Sequence, residues 1–455
     1  MDAFVQQLKD RLPLAAATLE LFDYAFAEPL LDEIFQQHRG RCYTDCLTFT
    51  QLLTLVRDCL LEHQGSGHRL FLQLEREQCE PVDESSFYRK LSHMPVAVSR
   101  ALLRQCTARL MQLSPVAAAV LPGCFDSFEV LGFDGKKIKN ATARLKPTRG
   151  YSGALLGAKA LVAMNLRSGL ALAMSDSLDG EANDVPLVAQ LLPQVRQMIS
   201  RPVLWLADRQ FADVATLRLL AGRSGDRFVV RVQEKLHFQV ESELERTDAQ
   251  GRKRIDQIGL FGRGEQVMRL RRITLLRPGE KDNVVLLSDL LDRQQFDTPD
   301  LLELYRKRWG LENMFQQVTQ TFALQHLIGC HPQAILFQFA FCLLMYNLIQ
   351  VIKSYVAADG KVDAAVVSTY GLFYDVKREL QTWSYLLAEP WQRGGRHQDQ
   401  MHRRLLQLLQ GSWDAVAYTK ASDKNPRQRK PPPKRLHGGH TSVQRLLSGK
   451  LKLKS

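Results

Sequence analysis

The stretch YRKRWGLENMF, from Tyr305 to Phe315, sets one carboxylate, Glu312, behind Arg306, Lys307 and Arg308. On a helix, residues three and four apart are neighbours, so Tyr305, Arg308 and Glu312 lie close to one stripe. A phenol, a guanidinium and a carboxylate pointing the same way admit two readings. One is a solvated face with an i,i+4 ion pair. The other is an acid that binds a metal, flanked by groups that hold phosphates.

Two more acids bear on the choice. Asp134 ends the apolar run FEVLGFDG, and Asp208 ends PVLWLAD. In open α/β sheets, functional groups collect at the carboxyl ends of strands. If the two strands are adjacent and parallel, the carboxylates converge, and Glu312 can join them from a packed helix. Three hard oxygen donors suit Mg²⁺, with Mn²⁺ as a substitute. Two such ions, roughly 3.5–4 Å apart, can clamp the attacking and leaving oxygens of a phosphodiester displacement. Lys136, Lys137, Arg209 and Arg308 are spaced to neutralise phosphates beside them. The structural alternatives are ordinary ones: Asp134 before Gly135 as a turn residue, and Asp208 as a helix cap. Glu181 and Asp184 in DGEANDVP also compete, with Asp184 expected to cap the helix that follows.

The elements that must carry these residues follow from periodicity. Residues 1–120 read as a helical N-terminal DNA-binding domain, with apolar spacing in FTQLLTLVRDCLLEH and VSRALLRQCTARLMQL. Between these runs, VDESSFYRKLSHMP predicts a short helix bearing Tyr88, Arg89 and Lys90, similar to the groove-reading helix of a helix-turn-helix. Residues 121–232 alternate strand, hairpin, helix, strand, helix, strand, which predicts a mixed α/β sheet. Residues 233–297 lack helical rhythm and read as an all-β insertion. Residues 298–356 resume the core and carry Glu312. Their most apolar run, AILFQFAFCLLMYNLIQVI, contains Gln338, Asn347 and Gln350 and is expected to be a buried helix, with no membrane involved. Residues 357–419 continue as helix. Residues 420–455, with RKPPPKR, read as a basic disordered tail.

Charge points to a polyanionic partner. The net charge is +13, and the eleven Lys/Arg between Lys420 and Lys454, against Asp423 alone, account for +10 of it. A second acid-free run holds Lys136, Lys137, Lys139, Arg144, Lys146 and Arg149. Such clusters draw in phosphate backbones by releasing counterions, which disfavours a hydrolase of small substrates. The eight cysteines suggest no disulfide framework and no zinc spacing, and the start MDAFVQQLKDRL does not read as a leader. A cytoplasmic protein with reduced thiols is expected.

With both aspartate blocks and the helix considered together, the sequence resembles DDE transposases of bacterial insertion sequences, in the group with a Tyr-x2-Arg-x3-Glu-x6-Lys signature. Tyr305, Arg308 and Glu312 match its first three positions. FDG resembles the first aspartate block and LADRQF the second. The β insertion, the HP…YNL helix and the basic tail are also similar. The resemblance implies a ribonuclease-H-like catalytic core, dependence on Mg²⁺ and double-stranded DNA as partner, at element ends and at a target. It also implies a homodimer in the synaptic complex and association with the bacterial chromosome. Catalysis and metal binding would fall to Asp134, Asp208 and Glu312. Thr319 stands where the signature has Lys, with Gln316 and Gln320 as neutral replacements for that phosphate contact. A nuclease of the same fold and an inactive or domesticated DNA-binding protein are the alternatives.

Overall fold

The computed structural model describes residues 9–42, 46–63, 65–77, 82–113, 115, 117, 119–139, 141–151, 153–247, 251–264, 266–277, 283–321, 324, 326–386, 398–414 and 439–450. Within the described residues, the N-terminal part holds helices α1 (Pro13–Ala25), α2 (Glu28–His38), α3 (Phe49–Leu61), α4 (Gly67–Glu77), α5 (Glu84–Ser92) and α6 (Val96–Leu110). Thr48 and Gln51 close a reciprocal capping box at the start of α3. Asp83 caps α5 by accepting the N–H of Ser86 at 2.9 Å.

Next come β1 (Glu129–Ile138), β2 (Ala154–Leu156), β3 (Ala158–Asn165), β4 (Ala171–Ser177), α7 (Val185–Arg196), β5 (Val203–Ala207), α8 (Val214–Leu220) and β6 (Arg227–Val232). The insertion supplies β7 (Phe238–Thr247), β8 (Lys253–Arg263), β9 (Gln266–Leu275) and β10 (Val284–Ser288). Nine strands form one sheet in the order β4-β3-β1-β5-β6-β10-β9-β8-β7. The β1-β3-β4 meander is antiparallel, whereas β1-β5-β6 is parallel. Parallel neighbours need crossovers, and α7 and α8 provide them.

Among the described residues there follow α9 (Thr298–Lys307), α10 (Trp309–Gln320), α11 (Pro332–Asp359), α12 (Thr369–Leu386) and α13 (Gln398–Leu409), then β11 (His440–Ser442) and α14 (Val443–Leu447). α11 is long and apolar enough to cross a membrane, yet its apolar stretch is wholly buried within the fold. Its polar residues are satisfied there. Asn347 accepts from the N–H of Ala171 at 2.9 Å and donates to that residue's carbonyl at 2.8 Å, closing the sheet edge at β4. Gln338 donates to the carbonyl of His326 and accepts from Ile328, both at 2.9 Å.

Three features of the fold bear on the expected organisation. The N-terminal helices are not set apart, because α6 packs on both α11 and β4 and all share one continuous core. The 233–297 insertion joins the same sheet: β10 pairs with β6, so the insertion widens it. Nor is the tail disordered throughout. Residues 415–438 lie outside the described residues, but β11 pairs with β2, and Val443 and Leu446 are buried. The charge count hid this short apolar anchor. No disulfide joins the seven described cysteines.

Candidate active site

Asp134 lies in β1 and Asp208 immediately follows β5. Gly132 pairs with Leu206 in the parallel register, and two residues further along each chain stand Asp134 and Asp208. Adjacent parallel strands thus deliver both acids to one level of the sheet's carboxyl edge. Side chains alternate along a strand, so Gly132, Asp134 and Lys136 share the face covered by α10. The sheet and α10 approach closely: a Cβ on Gly132 would come within 2.6 Å of the Leu311 side chain.

The helix expected to run through Glu312 is broken at Arg308, the turn between α9 and α10. The break leaves the stripe intact. Arg308 is 5% exposed and reaches two carboxylates: Nη1 to Asp134 at 3.4 Å and Nη2 to Glu312 at 3.2 Å. Its guanidinium carbon lies 5.6 Å from the Tyr305 ring centre. Tyr305 is buried and donates its hydroxyl to the carbonyl of Ala207, the residue before Asp208, at 3.3 Å. The phenol therefore ties α9 to the strand end that precedes Asp208.

Crowding bears on Asp134 and Arg308. Burial pushes the Asp134 carboxyl above its ordinary value, and the nearby Asp208 and Glu312 charges push it the same way. Arg308 and the N–H of Gly135, which donates to Asp134 at 2.7 Å, oppose that shift. For Arg308, burial disfavours the charge, but Tyr305, Asp208, Asp134 and Glu312 outweigh it and raise its pKa.

Several residues differ from their expected roles. Arg308 and Tyr305 are turned inward, Arg308 to Asp134 and Glu312 and Tyr305 to the Ala207 carbonyl. Lys90 is fully buried, donating to the carbonyl of Leu47 and lying 4.9 Å over the Phe35 ring. Three consecutive helical residues point about 100° apart, so Tyr88, Arg89 and Lys90 cannot share a groove-facing side. Tyr88 is half-buried and only Arg89 is exposed. Asp184 stands at the N-cap position of α7 without capping it. The Thr319 hydroxyl donates to its own helix at Phe315, 2.6 Å away, whereas Gln316 and Gln320 are exposed. Asp208 does not cap the 3₁₀ turn that follows it. Lys137 and Arg209 are exposed, and Lys136, half-buried, has its ammonium 5.5 Å over the Phe315 ring.

Residues 126–348 match the family model of the transposase DDE domain. That match supports a DDE transposase. The matched span contains Asp134, Asp208 and Glu312. No curated protein matches the chain. Among solved structures, the chain is similar to the piggyBac transposase synaptic complex with hairpin DNA. That likeness has 12% identity and a TM-score of 0.32 over 86% of this chain and 75% of the other, too slight to carry an argument.

Sequence reading missed what positions α9. Arg271 in β9, with no exposed surface, donates to Asp256 at 2.6 and 3.0 Å and to the carbonyl of Phe296 at 2.6 Å. Thr298, the first residue of α9, donates to Asp256 at 2.7 Å. This buried node fixes the helix start to the insertion. Its only trace in the sequence is charge within alternating strands, which reads as a solvated face.

Proposed function

We propose that the chain is a DNA transposase that binds terminal inverted repeats, hydrolyses phosphodiester bonds at element ends and joins the 3′-hydroxyl ends to target DNA. One observation carries the reading: Asp134 within β1 and Asp208 just past β5 stand at one level of adjacent parallel strands, and Arg308 links Asp134 to Glu312. The antiparallel meander on one side of β1 and the parallel crossovers on the other support a ribonuclease-H-like core.

The donor set fits divalent ions. Three carboxylates share one edge, their mutual repulsion is felt at Asp134, and a single guanidinium offsets it. Among the described residues, no three acidic, His or Cys side chains are gathered closely enough to form a ligand cage. Arg308 stands between Asp134 and Glu312, so closing such a cage requires its guanidinium to withdraw. Asp134, Asp208 and Glu312 would hold Mg²⁺, with Mn²⁺ as substitute. When bound, the ions activate water or a 3′-hydroxyl and stabilise the leaving oxygen. The protein's own part is to place the three acids and, through Lys136, Lys137 and Arg209, to hold the DNA backbone beside them. A homodimer on paired ends and work on the bacterial chromosome, in the cytoplasm, belong to the same proposal.

The test is a supercoiled plasmid carrying the element's ends, taken from inverted repeats flanking the gene, incubated with the protein and Mg²⁺. Nicking at the ends followed by joined products supports a transposase. Nicking without joining indicates a nuclease, and binding without either indicates an inactive DNA-binding protein.

A further inference from the structure

Behind Asp134 lies a buried ion pair with no part in the chemistry above. Asp184 and Lys159 are 6% and 5% exposed and stand 2.8 Å apart, at an angle outside hydrogen-bond geometry. The Lys159 ammonium also donates to the carbonyl of Ala182 at 2.7 Å. The Asp184 carboxylate lies flat against Gly135, where a Cβ would collide with all three carboxyl atoms. Gly135 in turn donates its N–H to Asp134. A shift of Asp184 therefore bears directly on the backbone that orients the first acid.

The loop of residues 178–184, which carries Asp184, is gripped from outside by the end of the chain. β11 pairs in parallel with β2, matching His440, Thr441 and Ser442 with Ala154, Leu155 and Leu156. The N–H of Gly180 donates to the Ser442 hydroxyl at 3.0 Å. On its other side Gly180 meets Leu156, whose Cβ would be 2.6 Å from a Cβ placed there. Arg445 spans the loop, with Nε 2.9 Å from Asp179 and Nη1 2.7 Å from Glu181.

We propose that the C-terminal strap, residues 439–450, is a positioning element for Asp134, acting through Arg445, the 178–184 loop and Asp184. The role of Asp134 rests on the transposase reading, whereas the mechanical link does not. Close-packed interiors transmit displacement, and this relay has no slack at Gly180 or Gly135. The Arg445 pairs are partly exposed, where ion pairs add little stability. Their effect is to fix geometry.

The experiment compares wild type, Arg445→Ala and Asp184→Asn in the full chain, by amide hydrogen exchange and by Mg²⁺-dependent plasmid nicking. The expected result for Arg445→Ala is faster exchange in 178–184 and also in 134–138. Nicking should slow by tenfold or more with DNA affinity unchanged, since misplacing a reacting group by about 1 Å can cost about 10²-fold. Asp184→Asn should loosen 134–138 without loosening 439–447, which orders the relay. Faster exchange confined to 178–184 and 439–447 would overturn the proposal, as would an unchanged nicking rate in a wild type that nicks. If wild type fails to nick while exchange follows the expected pattern, the transposase reading falls and the link stands.

Discussion

Replacing Arg308 by Met removes the guanidinium between Asp134 and Glu312 while keeping the stem's length. The Asp134 contact is long, at 3.4 Å, and half-buried, so it sits near the low end of hydrogen bonds to charged groups, about 1.5 kcal/mol. Glu312 is 39% exposed, and its i,i+4 pair is screened to about 0.3–0.5 kcal/mol. Relief of the guanidinium's own burial cost offsets part of this. The net loss at neutral pH without metal is therefore about 1–2 kcal/mol. Arg308 lowers the Asp134 pKa, so in the variant that pKa rises further above the ordinary carboxylate range. The loss is then complete above the variant's folded pKa. It fades as pH falls and disappears below the wild-type folded value. Urea midpoints in EDTA at pH 8 and pH 4 measure this, and added Mg²⁺ should restore more stability to the variant than to wild type. An equal loss at both pH values would assign the effect to stem packing. No loss at either would refute Arg308 as the counter-ion of the cluster.

Gly135→Ala should cost about 1–3 kcal/mol by overpacking against Asp184 and should also slow nicking; melting curves beside nicking rates check both. Lys90→Met should lower the melting temperature, because the Leu47 carbonyl loses its buried donor at about 1–3 kcal/mol, and should leave DNA affinity unchanged. Arg89→Ala should do the reverse, as read by mobility shift at fixed salt. Replacing Lys424, Arg427, Arg429, Lys430, Lys434 and Arg435 by Gln should flatten the slope of log K against log salt by up to about 5, at about 0.9 per lost phosphate contact.

What the sequence disclosed depended on locality. Acids that end apolar runs and the Tyr305–Arg308–Glu312 spacing are local patterns, so the sheet, the β insertion and the candidate cluster could be read from them. Direction could not. Whether Arg308 turns to DNA or inward depends on Asp134, 174 residues away, and Lys90 is buried because α5 packs against Leu47 and Phe35. The tail misled for the same reason. Its charge is a property of composition, whereas its docking depends on Ser442, Val443 and Leu446 meeting a surface built from residues 146–181. Gly135 held a usable signal. A glycine directly after a strand-ending acid reads as a turn, but here it marks the close approach of Asp184.

The most direct test of the central claim is Mg²⁺-dependent nicking of an end-bearing plasmid by wild type, Asp134→Asn, Asp208→Asn and Glu312→Gln, with metal-free melting curves and end-binding alongside. Wild type should nick. Each variant should bind the ends, melt at or slightly above wild type because one repelling charge is gone, and fail to nick or join. Full nicking by any folded variant would remove that residue from the site, and joint loss of melting temperature, binding and activity would make the three carboxylates structural.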